Sequence, residues 1–163
     1  MDHWHTMGVL VNNKSGVLQR VSSLFSRRGF NIESITVGAS EEQGLSRMVI
    51  VTRGDDSVFE QIKHQLEKLI DVVRVIPVSD KPMVARELAL IKVESAPERR
   101  PEIIALVETF RATVVDVGQN SLMVQVVGET DKIDAMIELV RPYGLIELCR
   151  TGVTAMARGN AQV

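Results

Sequence analysis

Apolar residues recur along this chain in two rhythms. One is the short continuous or alternating run of a β-strand; the other is the three-and-four spacing of a helix with one buried face. Met7–Val11 is continuously apolar and predicts a central strand. The run breaks at Asn12-Asn13-Lys14-Ser15-Gly16, after which Val17, Leu18, Val21, Leu24 and Phe25 mark a helix. Ser15 is its expected N-cap; Arg27, Arg28 and then Gly29 form a C-terminal stop. Ile32–Val37 predicts a half-buried strand, 38–45 a polar loop, and Arg47–Thr52 another strand. Asp55 or Asp56 caps a second helix with Val58, Phe59, Ile62, Leu66 and Leu69 on one face, and Asp71–Val78 is a further β-rich run. Pro77, Ser79, Asp80, Lys81 and Pro82 then punctuate the chain as a linker.

The second half repeats this order. Glu87–Val93 predicts a strand, and Pro101 suits the first turn of a helix carrying Ile103, Leu106, Val107 and Phe110. Thr113–Val117 and Leu122–Val127 are two strands around a Gly118–Ser121 turn. Thr130 is placed to cap a helix with Ile133, Met136, Ile137 and Val140; Pro142 and Gly144 end it, and Leu145–Cys149 is a last strand. The pattern is α+β: two ferredoxin-like βαββαβ units of about 75 residues, each with an antiparallel sheet and helices on one face. We divide the chain into domains 1–78 and 84–163. The repeat is one of architecture, with little residue identity between the halves, and the bare face of each sheet calls for a partner domain or subunit.

Composition narrows the function. With 45% hydrophobic residues in 163, the chain can bury a core, and intrinsic disorder is excluded as its main state. No apolar run approaches the roughly 18 residues of a membrane span, and Met1-Asp2-His3-Trp4-His5 lacks the basic and apolar regions of a signal peptide. A net charge of −2 and aromatic residues at 4% argue against nucleic acid and anionic membranes as partners. Three His and one Cys make a His/Cys metal site an unpromising reading, and a lone cysteine suits a reducing cytoplasm. Cys149 reads as a small buried hydrophobe, His64 as solvent-facing, and His3-x-His5 as part of a mobile terminus.

The candidate chemistry lies in Asn13-Lys14-Ser15-Gly16-Val17-Leu18, between the first strand and the first helix. A helix N-terminus offers free N–H groups and a positive dipole end to a carboxylate or phosphate. Gly16 permits close approach to the backbone, and the Asn13 amide offers both a donor and an acceptor, which suits the zwitterion of an α-amino acid. Asn, Ser and Gly are also ordinary turn and cap residues, and from the loop alone that reading stays open.

The stretch Val11-Asn12-Asn13-Lys14-Ser15-Gly16-Val17-Leu18, followed by Leu24-Phe25-Ser26-Arg27-Arg28-Gly29-Phe30-Asn31-Ile32-Glu33-Ser34-Ile35-Thr36-Val37 and Ser46-Arg47-Met48, resembles the ACT domain of the regulatory small subunit of acetohydroxyacid synthase (acetolactate synthase). Arg86–Val93, Phe110-Arg111-Ala112 and Arg150-Thr151-Gly152 extend the resemblance across nearly the whole chain. It implies an effector-binding, dimerising ACT domain at 1–78 and the small subunit's C-terminal ferredoxin-like domain at 84–163. It also implies a non-catalytic chain with no cofactor of its own. The large catalytic partner would use thiamine diphosphate, FAD and Mg to make the precursor of branched-chain amino acids. This chain would activate that partner and confer feedback inhibition, usually by valine bound where two ACT domains pair. The resemblance carries effector roles onto Asn13, Gly16 and Asn31, with Ser15, Val17, Leu18 and Ile32 beside them. Lys14 departs from the acid many relatives carry there, and a solvated side chain accounts for it equally well. By itself, Asn31 is a turn residue at a strand start, and Val17 and Leu18 fit a helix core face. The second half has Glu94-Ser95-Ala96-Pro97-Glu98 instead of the Asn-x-x-Gly loop, so the effector site is expected in the N-terminal unit only. Two rival classes are a free-standing amino-acid sensor acting on another partner, and an acylphosphatase-type hydrolase. The hydrolase needs an Arg in the loop that this chain lacks.

Overall fold

A computed structural model describes residues 3–160; Met1, Asp2 and 161–163, which the expected domains and the signal-peptide reading include, lie outside the described residues. The elements are β1 (His3–Asn12), α1 (Val17–Arg27), β2 (Ser34–Ala39), β3 (Leu45–Gly54), α2 (Asp56–Glu67), β4 (Val72–Pro77) and β5 (Met83–Glu94). They continue with α3 (Arg100–Thr109), β6 (Thr113–Val117), β7 (Ser121–Gly128), α4 (Thr130–Val140), a 3₁₀ turn at Arg141–Tyr143, β8 (Leu145–Arg150) and β9 (Thr154–Ala157). The chain is α+β, with two ferredoxin-like units. The first comprises residues up to Val84 and those from Val153 onward, and the second Ala85–Gly152. The tail was expected with the C-terminal half. It returns to the first unit, where Thr36 Oγ1 donates to the Val153 carbonyl at 3.3 Å and Val153 N–H donates to Ser34 Oγ at 2.7 Å.

Both sheets are antiparallel, ordered β2-β3-β1-β4 and β6-β7-β5-β8. In the first unit Met7, Val9 and Val11 of β1 pack with Val17, Val21, Leu24 and Phe25 of α1 and with Phe59, Ile62 and Leu66 of α2. Each such fully buried side chain contributes about 1.5–3 kcal/mol of transfer free energy. The second core repeats the scheme with Ala89, Ile91 and Val93 against Ile103, Val107, Ile133, Met136 and Ile137. The architectural repeat extends to detail. Register shifts occur at Leu10/Val11 against β4 and at Lys92/Val93 against β8. Asn12 N–H donates to Asp71 O at 2.9 Å, and Glu94 N–H to Gly144 O at 2.8 Å. After α1 and α3, the chain reverses through Gly29 and Arg111, both at positive φ (69° and 52°), and Phe30 and Ala112 N–H donate back to Phe25 and Val107.

Several expectations are corrected. β1 begins at His3, not Met7, and His5 is no part of a loose end. His5 is buried, stacked on Phe59 at 4.4 Å, and donates through Nε2 to the Gly54 carbonyl at 3.2 Å. Thr6, Gly8 and Leu10, on the face away from the helices, are buried as well, so β1 shows no alternation to mark its start. Ser15 does not cap α1; the N-cap is Gly16 in the left-handed region at φ 83°. Thr130 is the first helical residue of α4, behind Glu129, and makes no capping bond. Cys149 is exposed: Leu148 pairs with Ile91 on the helix-covered face, which turns Cys149 to the other. Where Asp55 or Asp56 was expected as a cap, Asp55 accepts from Val58 N–H at 2.9 Å, which holds its carboxyl below the usual range.

One ion pair is built into the second core. Glu87, buried on β5, takes Arg150 Nε at 2.6 Å and Nη2 at 3.0 Å, while Arg150 Nη1 reaches Asp134 at 2.7 Å. Removing the cation strands a buried carboxylate. Arg150→Ala should therefore lower stability by about 3 kcal/mol, the low end for a broken buried pair because the Arg150 side chain is itself 30% exposed. Urea unfolding checks this; a midpoint equal to that of the parent chain would show the pair contributes nothing.

Candidate functional site

The loop from Asn13 to Gly16 is held by the ends of the strands around it. Asn12 N–H is tied to Asp71 O, and Asn13 N–H donates to Gly44 O at 2.8 Å, in the β2–β3 hairpin. Arg47 stiffens that hairpin by donating to both oxygens of Glu41 at 2.8 and 3.0 Å, which lowers the Glu41 pKa. Lys14 N–H turns back to Asn12 O at 2.9 Å, and Gly16 at positive φ delivers the chain into α1. At the start of α1, Val17 N–H donates to Lys14 O and Arg20 N–H to Gly16 O. Leu18 and Gln19 N–H have no partner in the helix and point out of its positive end. Free N–H groups at the positive end of a helix are the donors that a carboxylate or phosphate would need.

The side chains sort themselves by burial. Asn13, Lys14, Ser15, Gly16 and Leu18 are exposed, with Leu18 at 49%. Val17 is 4% exposed and belongs to the core; only its backbone faces the loop. Sequence reasoning missed two residues. Arg20 reaches back over the loop to Asp71, whose buried carboxylate neutralises it, and a Cβ on Gly16 would lie 3.2 Å from Arg20 Nη1. The Gly16-to-Arg20 spacing, one helical turn, was the signal that would have found Arg20.

Asn31 and Ile32 stand elsewhere. The Asn31 carbonyl accepts from Thr52 Oγ1 at 2.8 Å, its amide donates to Glu33 at 2.7 Å, and Ile32 packs on the core. Thr52 pairs with His5, whereas Asn12 pairs with Leu45 at the other end of β1. Seven residue steps along β1, from His5 to Asn12, separate these ends, about 23 Å at the usual rise. Within one chain, then, the loop and the Asn31–Ile32 segment flank opposite ends of the same sheet.

The corresponding corner of the second unit is closed. Ser95 is fully buried, with its N–H on Asn120 O at 2.8 Å. Arg100 fills the space, donating from Nε to Ser95 Oγ at 3.2 Å and from Nη2 to the Ser95, Gly118 and Gln119 carbonyls at 3.0–3.1 Å. Among the described residues no group of three or more His, Cys, Asp or Glu is placed to hold a metal ion, and no helix is long and apolar enough to cross a membrane. His64 lies on the outer face of α2, its side chain 74% exposed.

The geometry makes Gly16 a backbone requirement. Gly16→Ala forces an L-residue into the left-handed region and crowds Arg20, at a cost of about 1–2 kcal/mol. Thermal unfolding should show a fall in Tm; an unchanged Tm would mean the loop relaxes freely.

Comparison with known proteins points one way. A family model described as the AHAS small subunit-like ACT domain matches residues 7–74, and one described as the small subunit of acetolactate synthase matches 86–159. An acetolactate synthase small subunit of Bacillus subtilis is 53% identical over 154 residues, covering 93% of this chain and 89% of its own. That of Mycolicibacterium smegmatis is 49% identical over 155 residues, covering 95% and 91%. The crystal structure of the acetolactate synthase small subunit from Thermotoga maritima superposes with a TM-score of 0.90 at 45% identity, covering 98% of this chain and 99% of that one.

Proposed function

The chain belongs to the acetolactate synthase small-subunit family, and we propose that it activates the large catalytic subunit and makes it sensitive to valine held between two copies of its N-terminal unit. Family membership supports a regulatory role in the acetolactate synthase complex and a catalytic large subunit as partner. The rest is our reading of the site. Thiamine diphosphate, FAD and Mg chemistry would stay with the partner in the cytoplasm, and this chain would contribute binding alone.

One observation carries the reading: the two predicted walls of the effector site sit about 23 Å apart along one strand, too far for one amino acid to touch both. A second copy removes the difficulty. β2 is an edge strand with Val37 48% exposed, and identical strands paired across a two-fold axis run antiparallel. In that pairing the Asn31 end of one β2 lies beside the Ala39 end of the other. There the β2–β3 hairpin, through Gly44, holds Asn13. Leu18 and Gln19 N–H would take the carboxylate. The Asn13 and Asn31 amide oxygens would take the ammonium, and Leu18 and Ile32 would flank the isopropyl group. Ser15 rims the loop, and Lys14 stays in solvent. The proposed control is a population shift: valine favours one arrangement of the pair, and the partner feels the difference. Coupling of this kind amounts to about 1–3 kcal/mol and is reciprocal, so the catalytic subunit should alter valine affinity by the same factor.

Calorimetric titration of the chain with L-valine tests the site. Saturable binding is expected, absent in Asn13→Ala, while Asn13→Ala still activates the catalytic subunit. Loss of activation as well would mean that the loop serves docking or folding. No valine binding by either the chain or the reconstituted complex would overturn the reading. A second test addresses the pair. Val37→Lys puts like charges at the β2 edge, so sedimentation should show monomer where the parent is dimer, with valine binding lost in step. A monomer that binds valine with parental affinity would remove the need for two copies.

A further inference from the structure

On the outer side of the first unit, a groove of ≈360 Å³ runs between the second half of α1 and the end of α2. Its floor carries Leu24 and Leu69; its rim carries Arg27, Arg28, Gln65 and Lys68. The rim is unusual for its charge. Elsewhere on α2, Lys63 stands 3.6 Å from Glu60 and His64 stands 3.7 Å from Glu67. Among the described residues, no carboxylate pairs with Arg27, Arg28 or Lys68, and the one hydrogen bond from their side chains is a weak donation from Arg27 Nε to the Ser23 carbonyl at 3.4 Å. Capping the end of α1 would need one of these cations at most, since Arg28, Gly29 and Phe30 N–H already close its last carbonyls. Ile70, directly after Leu69, is 92% exposed, the most exposed large apolar residue described in the chain. Three unpaired cations around an apolar floor, with a bare isoleucine beside them, is the composition of an interface awaiting an acidic counterpart.

We propose that this groove docks an acidic segment of the catalytic large subunit, one that sets carboxylates against Arg27, Arg28 and Lys68 and covers Ile70. The inference rests on the regulatory reading above and adds to it a surface distinct from the effector loop. Its charges act chiefly on encounter and orientation, and its apolar part on residence. A chain with a net charge of −2 would otherwise gain little from gathering unpaired cations in one place.

The test is activation of the purified catalytic subunit by the full chain, titrated at low and high salt. The parent chain should activate, and its half-activating concentration should rise with salt. Arg28→Glu/Lys68→Glu should raise that concentration about tenfold or more at low salt and flatten the salt dependence. Ile70→Asp should raise it at both salt levels. All variants should keep the parental Tm and valine titration, because neither the core nor the loop is touched. Equal activation by the charge-reversed chain and the parent would overturn the proposal. So would loss of valine binding in that variant, which would assign the groove to pairing between small subunits. A parent chain that leaves the catalytic rate unchanged would sink the regulatory reading itself, and the groove's partner with it.

Discussion

The central strand of the first unit is the constraint on which its other features depend. β1 is hydrogen-bonded to β3 and β4 and is buried from His5 to Val11 on both faces. Such a strand cannot slide: a one-residue slip would exchange Met7, Val9 and Val11 for Thr6, Gly8 and Leu10 in the core. Its end is therefore fixed, and with it the point where Asn12 and Asn13 N–H meet Asp71 and Gly44. The loop that follows inherits this rigidity through its backbone bonds, Asn13 N–H to Gly44 O and Lys14 N–H to Asn12 O. That is how four exposed residues, Asn13 to Gly16, keep one conformation ahead of α1, with glycine supplying the left-handed step at no steric cost.

The two units show what the same frame does with different loops. In both, the last residue of the central strand is tied to the turn before the fourth strand, and the residue after it to the turn before the third. In the first unit, Gly16 opens the helix and Arg20 swings aside onto Asp71. In the second, Pro97 and the Ala96–Arg99 turn replace the glycine, and Arg100 enters the corner to satisfy three carbonyls. A guanidinium bonded to carbonyls is a structural plug, with its donors turned inward. In the second unit, then, Arg100 occupies the corner that corresponds to the Asn13–Gly16 loop of the first.

Most of the fold was legible in the chain because its signals are local. The alternation of β5 and β7, Pro101 at the start of α3, the Asp55 cap and the Gly29 stop each report on their own neighbours. What escaped was set by distant partners. β1 looked short because burial on both faces erases the period. Ser15 looked like a cap because its residue type is right, but the turn from Lys14 to Gly16 leaves the cap position to the glycine. Cys149 was assigned by its apolar company, whereas strand parity turns it outward. β9 is only four residues long, and Val153 just before it is bonded to Ser34 and Thr36, more than a hundred positions away. For the candidate site, Asn13–Leu18 could be read as a helix-start cradle from residue types alone. Asn31 and Ile32 came from the family resemblance, and Val17 proved to belong to the core.

The separation of Asn13 from Asn31 has a consequence for control. A ligand that must touch both ends of a sheet binds only to an assembly, so its affinity includes the free energy of pairing. Below the concentration at which the pairs form, occupancy would depend on protein concentration as well as on ligand. Once paired, each two-fold interface would present two equivalent sites joined by the same β2 edges, so occupying one would order the strand that forms a wall of the other. Coupling then needs no long pathway through the core. In the proposed pair the bistable element would be the interface itself, and a partner that grips the helices on its outer side would favour one of its arrangements. In the proposed arrangement the Asn13–Gly16 loop and the basic groove share α1, which runs from Val17 to Arg27. A shift of its first turn on ligand binding would be carried rigidly to the rim of the groove, because a helix of eleven residues packed through Val17, Val21, Leu24 and Phe25 moves as one piece.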